Sequence, residues 1–320
     1  MEKYTQYRDR STGISPFLPH KTPTSTPSLV LHALIFAFRL PLFLFYCAVY
    51  FLLLSHLPLP TFARKLLLWG MLGIPGIWWV DLQLDGVKRG SLSQQPPNRV
   101  PHPGSVIAAQ FTSPVDAIYL AAIFDPRHPA RLGPVLLHAP HASSGHNPHK
   151  LVSLRRVVEQ NRHRCVAVFP ECSTTNGKGI LPFSPSLLSA PVDAPIFPVS
   201  MRYTPQDITT PIPGAYFAFL WNLLSRPTHL IRVRIAESVT NRDIAGSSTE
   251  SSGQPSRANS DSEDDDDYFG AGEEKPTPDQ YRVLDRVSEA LARLGRNKRV
   301  GLTLKSKAAF IEAWSKSGKR

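Results

Sequence analysis

The stretch Ser105-Val106-Ile107-Ala108-Ala109-Gln110-Phe111-Thr112-Ser113-Pro114-Val115-Asp116-Ala117-Ile118-Tyr119 decides how the chain is read. Val106 to Ala109 is a short apolar run that includes β-branched residues, the pattern of a buried strand. A helix start follows it directly. Ser113 fits the N-cap, Pro114 the first helical position, where its missing N–H is no loss, and Asp116 the third, where its carboxylate completes a capping box and meets the positive end of the helix dipole. A helix is expected over Ser113 to Phe124. A strand feeding straight into a capped helix is half of a βα unit, so the domain is expected to be α/β, a mostly parallel or mixed sheet flanked by helices.

Downstream, Arg164 to Phe169 reads as another buried strand, and Ala194 to Tyr203 and His229 to Val239 as further ones, with the apolar, helix-like stretch Ala215 to Leu224 between the last two. In such a sheet the functional loops lie at strand ends. The segment Gly246 to Pro278 is rich in Ser, Gly and acids, including the run Asp264 to Asp267, and cannot bury enough apolar surface to offset its chain entropy. Tyr281 to Leu294 and Leu304 to Trp314 read as amphipathic helices, the last ending in a basic tail with Lys316, Lys319 and Arg320. Between Asp125 and His149 lie five prolines and the histidines His128, His138, His141, His146 and His149 without strand or helix periodicity. This is expected to be an irregular loop, with no ordered element to fix a metal geometry.

Upstream, Leu29 to Leu54 is almost wholly apolar and matches the ~20 residues that cross a bilayer. Arg39 in its middle and Pro41 leave two arrangements open, one continuous embedded helix or a hairpin bent at Pro41. Leu66 to Val80, broken by Gly70, Gly73, Pro75 and Gly76 and ending in Trp78 and Trp79, reads as an interfacial or re-entrant element, or else as a buried core helix. The expected division is therefore a polar segment 1–28, a membrane anchor and interfacial region 29–82, the α/β domain 83–242, an acidic insert 243–278, and C-terminal helices with a basic tail 279–320.

Composition agrees with a membrane-facing protein. Hydrophobic residues make up 42% of the 320 and charged residues 19%, with a net charge of +11. A basic chain dwells near polyanions, and the apolar anchor favours acidic lipid over nucleic acid, for which no aromatic-interleaved basic patch is present. Cys47, Cys165 and Cys172 form neither a metal-ligand spacing nor a disulfide framework, so the domain is expected to face the reducing cytosol.

Phe169-Pro170-Glu171-Cys172-Ser173-Thr174-Thr175-Asn176-Gly177-Lys178-Gly179 follows a buried strand with small hydroxyl residues and glycines. Such a loop exposes N–H and O–H donors that can hold a phosphate, with Lys178 as counter-charge, and equally it can be a plain tight turn. Glu171 is placed to orient a hydroxyl or a cation. Asp116 has two readings as well, a helix cap or a carboxylate that holds a base or a substrate hydroxyl.

These blocks, together with Ala194-Pro195-Ile196-Phe197-Pro198-Val199, resemble the ordered motifs of the PlsC-type glycerolipid acyltransferases. Met1-Glu2-Lys3-Tyr4-Thr5 and Gly13-Ile14-Ser15-Pro16-Phe17-Leu18-Pro19 are similar to the fungal members that pair lysophosphatidic acid with oleoyl-CoA. The resemblance implies an acyl-CoA-dependent acyltransferase acting on lysophosphatidic acid or a related lysophospholipid, without metal or other cofactor, at the endoplasmic reticulum membrane or lipid droplets. It implies catalytic roles for Asp116 and Glu171, and an acceptor site from Thr112, Ser113, Cys172, Ser173, Thr174, Asn176, Gly177 and Lys178. The acyl tail would lie along Ala215 to Leu224.

The departures are specific. The family histidine, five positions before the aspartate, is Phe111, which takes no proton; the loop glycine is Cys172; and the family's second motif has no counterpart between Asp125 and His149. Without the histidine base, catalysis would lean on proximity and on electrostatic help for the tetrahedral intermediate, with a histidine from elsewhere as base or Cys172 as an acyl-carrying nucleophile as further options. The alternative is a catalytically impaired relative that binds or traffics lipid.

Overall fold

The computed structural model describes residues 2–20, 22–23, 26–57, 59–87, 99–124, 153–241 and 278–318. The histidine-rich stretch between Asp125 and His149 lies outside them, as does nearly all of the acidic insert.

Five strands, β1 (Ile77–Leu84), β2 (Val106–Ala109), β3 (Val166–Val168), β5 (Ile196–Thr204) and β6 (His229–Ile235), pair in the order β1-β6-β5-β2-β3. β2 lies parallel to β3 and to β5, β1 parallel to β6, and β5 antiparallel to β6, so the sheet is mixed. A separate parallel pair joins β4 (Gly179–Ile180) to β7 (Lys298–Arg299).

β2 explains the layering. Its side chains alternate between two apolar environments, and all four are buried. Ile107 and Ala109 join a core with Leu68, Met71 and Leu72 of helix α2 (Thr61–Gly73) and Val115, Tyr119 and Leu120 of α3 (Pro114–Phe124). Val106 and Ala108 join a second core with Leu154 and Val158 of α4 (Leu154–Gln160) and Val287 and Leu291 of α6 (Pro278–Gly295). A strand covered on both faces has no polar side to show, which is why it reads as an unbroken apolar run.

Helix α1 (Thr26–Leu52) runs unbroken through Pro41, so the hairpin alternative does not occur. At about 1.5 Å per residue it is roughly 40 Å long. It is long and apolar enough to cross a membrane, and one side of it packs against α2 and the helix that spans 216–225. His32, Phe36, Arg39, Phe43, Tyr46 and Tyr50 recur every three or four residues and form the docked stripe. Phe36 packs on Phe217 and Trp221 of α5 (Tyr216–Ser225), with ring centroids 6.0 and 4.9 Å apart. The Arg39 guanidinium donates to the carbonyls of Pro75 (3.2 Å), Arg226 (2.6 Å) and Pro227 (3.0 Å). The Tyr46 hydroxyl donates to Leu67 O at 2.8 Å, and Tyr50 is buried. Leu34, Phe38, Leu42 and Phe45 occupy the outer side and are exposed. The helix is inside out: its His, Arg and Tyr face protein, and its outer side carries leucine and phenylalanine.

The stretch Leu66 to Val80 is neither a single interfacial element nor a single core helix. Its first half is α2, which buries Leu68, Met71 and Leu72, and its second half opens the edge strand β1. Gly76 turns the chain between them at φ +89°, and a Cβ there would strike the carbonyl oxygen of Pro227. A register shift between Ile77 and Trp79 gives β1 one extra residue, so Trp78 and Trp79 are both exposed, at 67% and 69%. The boundary expected at 82/83 therefore falls inside β1, whose exposed tryptophans make an edge strand look interfacial.

The two chain ends meet. Tyr4, Tyr7 and Phe17 gather around Phe310 of helix α7 (Leu304–Gly318), with centroid distances of 5.6, 5.3 and 6.0 Å. Asp9 fastens this clasp. One of its oxygens accepts from Ser11 Oγ (2.7 Å), Thr12 N (2.8 Å) and Thr12 Oγ1 (2.5 Å), and the other from Gly301 N at 3.1 Å. Burial acts to raise its pKa, but the hydrogen bonds from Thr12, Ser11 and Gly301 outweigh it and hold the carboxyl at about 2. A depressed carboxylate contributes stability that is complete above its unfolded pKa and disappears as pH falls through the folded value. Asp9→Asn should therefore cost about 2 kcal/mol at pH 7. Denaturant midpoints of the two proteins should converge between pH 4 and pH 2.

Candidate active site

Because β2 and β3 are parallel neighbours, the loops leaving their C-terminal ends emerge side by side. Thr175 N donates to Phe111 O at 3.1 Å, the Phe111 and Phe169 rings stack at 4.8 Å, and a Cβ on Gly177 would touch the Thr112 methyl at 3.4 Å. The Asp116 turn and the Glu171 loop thus form one structure. Phe111, where the resemblance places a histidine, has its ring packed against Phe169.

Asp116 is fully buried and fully occupied. Its Oδ2 accepts from Thr112 N (2.7 Å), Ser113 N (2.9 Å) and Thr112 Oγ1 (3.0 Å), while Oδ1 accepts the Tyr203 hydroxyl of β5. Burial pushes its pKa up to about 6, and the bonds from Tyr203, Thr112 and Ser113 oppose a larger rise. The carboxylate fixes the strand-to-helix turn and ties it to β5.

Glu171 is also fully buried, and accepts from Leu181 N at 3.3 Å. Burial drives its pKa to about 8 against the opposing pull of the Leu181 N–H, the Gln110 amide and the Lys307 ammonium. Lys307, from α7, is 6% exposed, and its burial lowers its pKa to about 8. Its ammonium donates to Ser173 Oγ (2.7 Å), Thr174 O (2.6 Å) and Thr174 Oγ1 (3.0 Å). Asn176 donates from Nδ2 to the carbonyls of Ser15 (2.7 Å) and Leu18 (2.9 Å), and its own N–H bonds to Pro16 O at 2.8 Å. Three of the residues expected to meet an acceptor phosphate, Ser173, Thr174 and Asn176, are thus engaged by the two chain ends. Cys172 takes φ +53°, the left-handed region, which accounts for the glycine the resemblance expects there. Lys178 is exposed, with its N–H bonded to Asn176 Oδ1 at 3.1 Å.

Beside these loops lies a cleft of about 440 Å³. Its lining includes a polar group, His20, Thr22, Asp207, Asn222 and Arg226, and the apolar Leu29, Ile212, Ala218, Phe219, Trp221 and Trp314. It is joined to the Asp116 turn through Thr210 N, which donates to Thr112 O at 2.9 Å. Asp207 Oδ2 accepts from Thr22 Oγ1 (2.8 Å) and from Arg226 (2.8 Å), whose guanidinium also reaches the Thr22 hydroxyl. The helix expected at Ala215 to Leu224 supplies the apolar wall. Lys307, Tyr203, His20 and Asp207 are absent from the sequence-based site. Tyr203, His20 and Asp207 sit in loops or strands without a local motif, and Lys307 reads as one basic residue of an amphipathic helix.

Asp116→Ala leaves two buried N–H groups and two hydroxyls unanswered and should cost about 3 kcal/mol of stability. Asp116→Asn keeps an acceptor for Thr112 and Ser113 and offers its amide to Tyr203, so its loss should be about 1 kcal/mol. Chemical denaturation in detergent checks both.

No family model matches the chain, and no solved structure matches it. A protein of Schizosaccharomyces pombe, provisionally named a lysophosphatidic acid:oleoyl-CoA acyltransferase, is 25% identical over 339 aligned positions that cover 99% of each chain.

Proposed function

We propose that the protein is a membrane-surface acyltransferase that moves an acyl group from acyl-CoA to lysophosphatidic acid or a related lysophospholipid. The observation that carries this reading is the shape and chemistry of the cleft. Its volume falls within the roughly 300–1,000 Å³ usual for small-molecule sites. Its lining combines a polar group around Asp207 and Arg226 with apolar residues, several of them from α5, which suits an amphiphile with a headgroup and a chain. The full-length similarity to a protein named for this chemistry supports the same reading, since alignment over both whole chains includes the cleft's N-terminal rim as well as the sheet. Acyl-CoA is the co-substrate, and the chemistry asks for no metal.

The inside-out character of α1 supports a lipid surface as the working environment. Leucine and phenylalanine on its outer side, with Phe62, Trp78, Trp79, Tyr216 and Phe217 exposed on neighbouring elements, make an apolar face too large for an ordinary soluble surface. Docked on the domain from His32 to Tyr50, the helix lies in one leaflet rather than across the bilayer. Such a mode serves an endoplasmic reticulum membrane and the monolayer of a lipid droplet equally.

The test is transfer of label from oleoyl-CoA to lysophosphatidic acid by the full chain in phosphatidylcholine vesicles. Formation of phosphatidic acid is expected; saturable binding of lysophosphatidic acid without product assigns the protein to lipid binding instead. Cysteines placed at Thr26 and at Leu53 test the membrane mode, using a membrane-impermeant maleimide on protein in sealed vesicles. Both should react from the same side, whereas reaction of one alone means that α1 crosses.

A further inference from the structure

The stacked Phe111 leaves the β2 loop without a proton acceptor, and the structure offers a replacement from the opposite end of the chain. His20 belongs to the polar group of the cleft lining, in a segment held on both sides. Two residues before it, Leu18 O is gripped by Asn176 Nδ2 at 2.9 Å; two residues after it, Thr22 Oγ1 is bonded to Asp207 Oδ2 at 2.8 Å. The loop that resembles an acceptor-binding motif therefore positions this histidine. The His20 Nε2 is buried, lines the cleft and has no hydrogen-bond partner.

A second observation marks the same place. Asp207 is 5% exposed, and while its Oδ2 is engaged by Thr22 and Arg226, its Oδ1 is buried without a partner at the cleft wall. A buried carboxylate oxygen and a buried imidazole nitrogen, both in residues that line one cavity, are each costly unless a ligand or a proton-bearing group completes them. His32 also lines the cleft, but from α1 beside Leu29, whereas His20 stands with the charged groups.

We propose that His20 is the general base of the transfer, with Asp207 balancing the charge that forms on it; this rests on the acyltransferase reading. Nε2 takes the proton from the acceptor hydroxyl as that oxygen bonds to the thioester carbonyl carbon. The tetrahedral intermediate collapses with cleavage of the carbon–sulfur bond. The proton held on His20 passes to the departing thiolate, so an ester and free coenzyme A thiol leave and the imidazole is neutral again. The groups around His20 suit the role. Burial and the charge of Lys178 press its pKa below the ordinary histidine value against the pull of Asp207, which keeps the ring unprotonated at neutral pH. Arg226 is bonded to the other oxygen of Asp207 and so leaves Oδ1 as the one facing a new partner.

The experiment measures acyl transfer from oleoyl-CoA to lysophosphatidic acid by the full chain in vesicles, for wild type, His20→Ala and the exposed control His163→Ala. General-base assistance is commonly worth ~10²- to 10⁴-fold, so His20→Ala should lower kcat by about 100-fold or more, with KM for lysophosphatidic acid within about threefold. Added imidazole should restore part of the rate, and His163→Ala should match wild type. An active wild type with an equally active His20→Ala overturns the assignment of the base and leaves the acyltransferase reading intact. A His20→Ala protein that loses lysophosphatidic acid binding and gains nothing from imidazole also overturns it, in favour of a structural histidine. A wild type that transfers no acyl group removes both.

Discussion

The need to satisfy buried charge at the ends of β2 and β3 governs much of this structure. Asp116 and Glu171 lie where no water reaches, and an unanswered carboxylate there would cost several kcal/mol. For Asp116 the answer is local, the Thr112 and Ser113 N–H groups, completed by Tyr203 from the adjoining strand. For Glu171 it is different: one oxygen accepts from Leu181 N, and burial raises the pKa to about 8 and so favours the protonated form at neutral pH. Lys307, from the far end of the chain, acts on it through its charge while its ammonium binds the loop that carries Glu171. The C-terminal helix packs here through Lys307, and the N-terminal segment, clasped to that helix through Phe310 and to Gly301 just before it through Asp9, packs with it. The cleft is a consequence, since one of its walls is α5 and its polar rim is the N-terminal segment that this arrangement holds down.

That hierarchy explains what could be read from the sequence. The strand-to-helix junction at Ser105 to Tyr119 was legible because capping is local chemistry, written within four residues. β2, β3, β5 and β6 and the helices after Pro278 were legible for the same reason: their apolar periods match the faces they bury. β1 was not, because an extra residue at Trp78 breaks its alternation and places two tryptophans on the outside. The docked stripe of α1 was hidden by a different effect. Both sides of that helix are apolar enough that only His32, Arg39, Tyr46 and Tyr50 mark the protein-facing one, and polar residues in an apolar run ordinarily suggest the reverse.

The site was legible only in part. The loops that carry Asp116 and Glu171 lie side by side, and both carboxyls are buried among groups that hold those loops. The hydroxyl and amide groups of the 170s loop serve the chain termini, a pairing across more than a hundred residues that no local pattern records. His20 and Asp207 lie in irregular segments where a single residue carries no signal. The contrast follows from the physics: caps and periods are short-range, whereas the completion of a buried charge depends on whichever distant element arrives.

Function, on this account, belongs to the cleft between the chain ends and α5, opening beside a helix whose outer side suits lipid. The most direct measurement is covalent mapping with a lysophosphatidic acid that carries a photoreactive group near the end of its acyl chain, bound to the full protein in vesicles and located by mass spectrometry. The account predicts labels on Phe219, Trp221 and Trp314, the apolar wall of the cleft. Labels confined to Leu34, Phe38 and Phe45 on the outer side of α1 would show that the lipid only bathes the protein, and would contradict it.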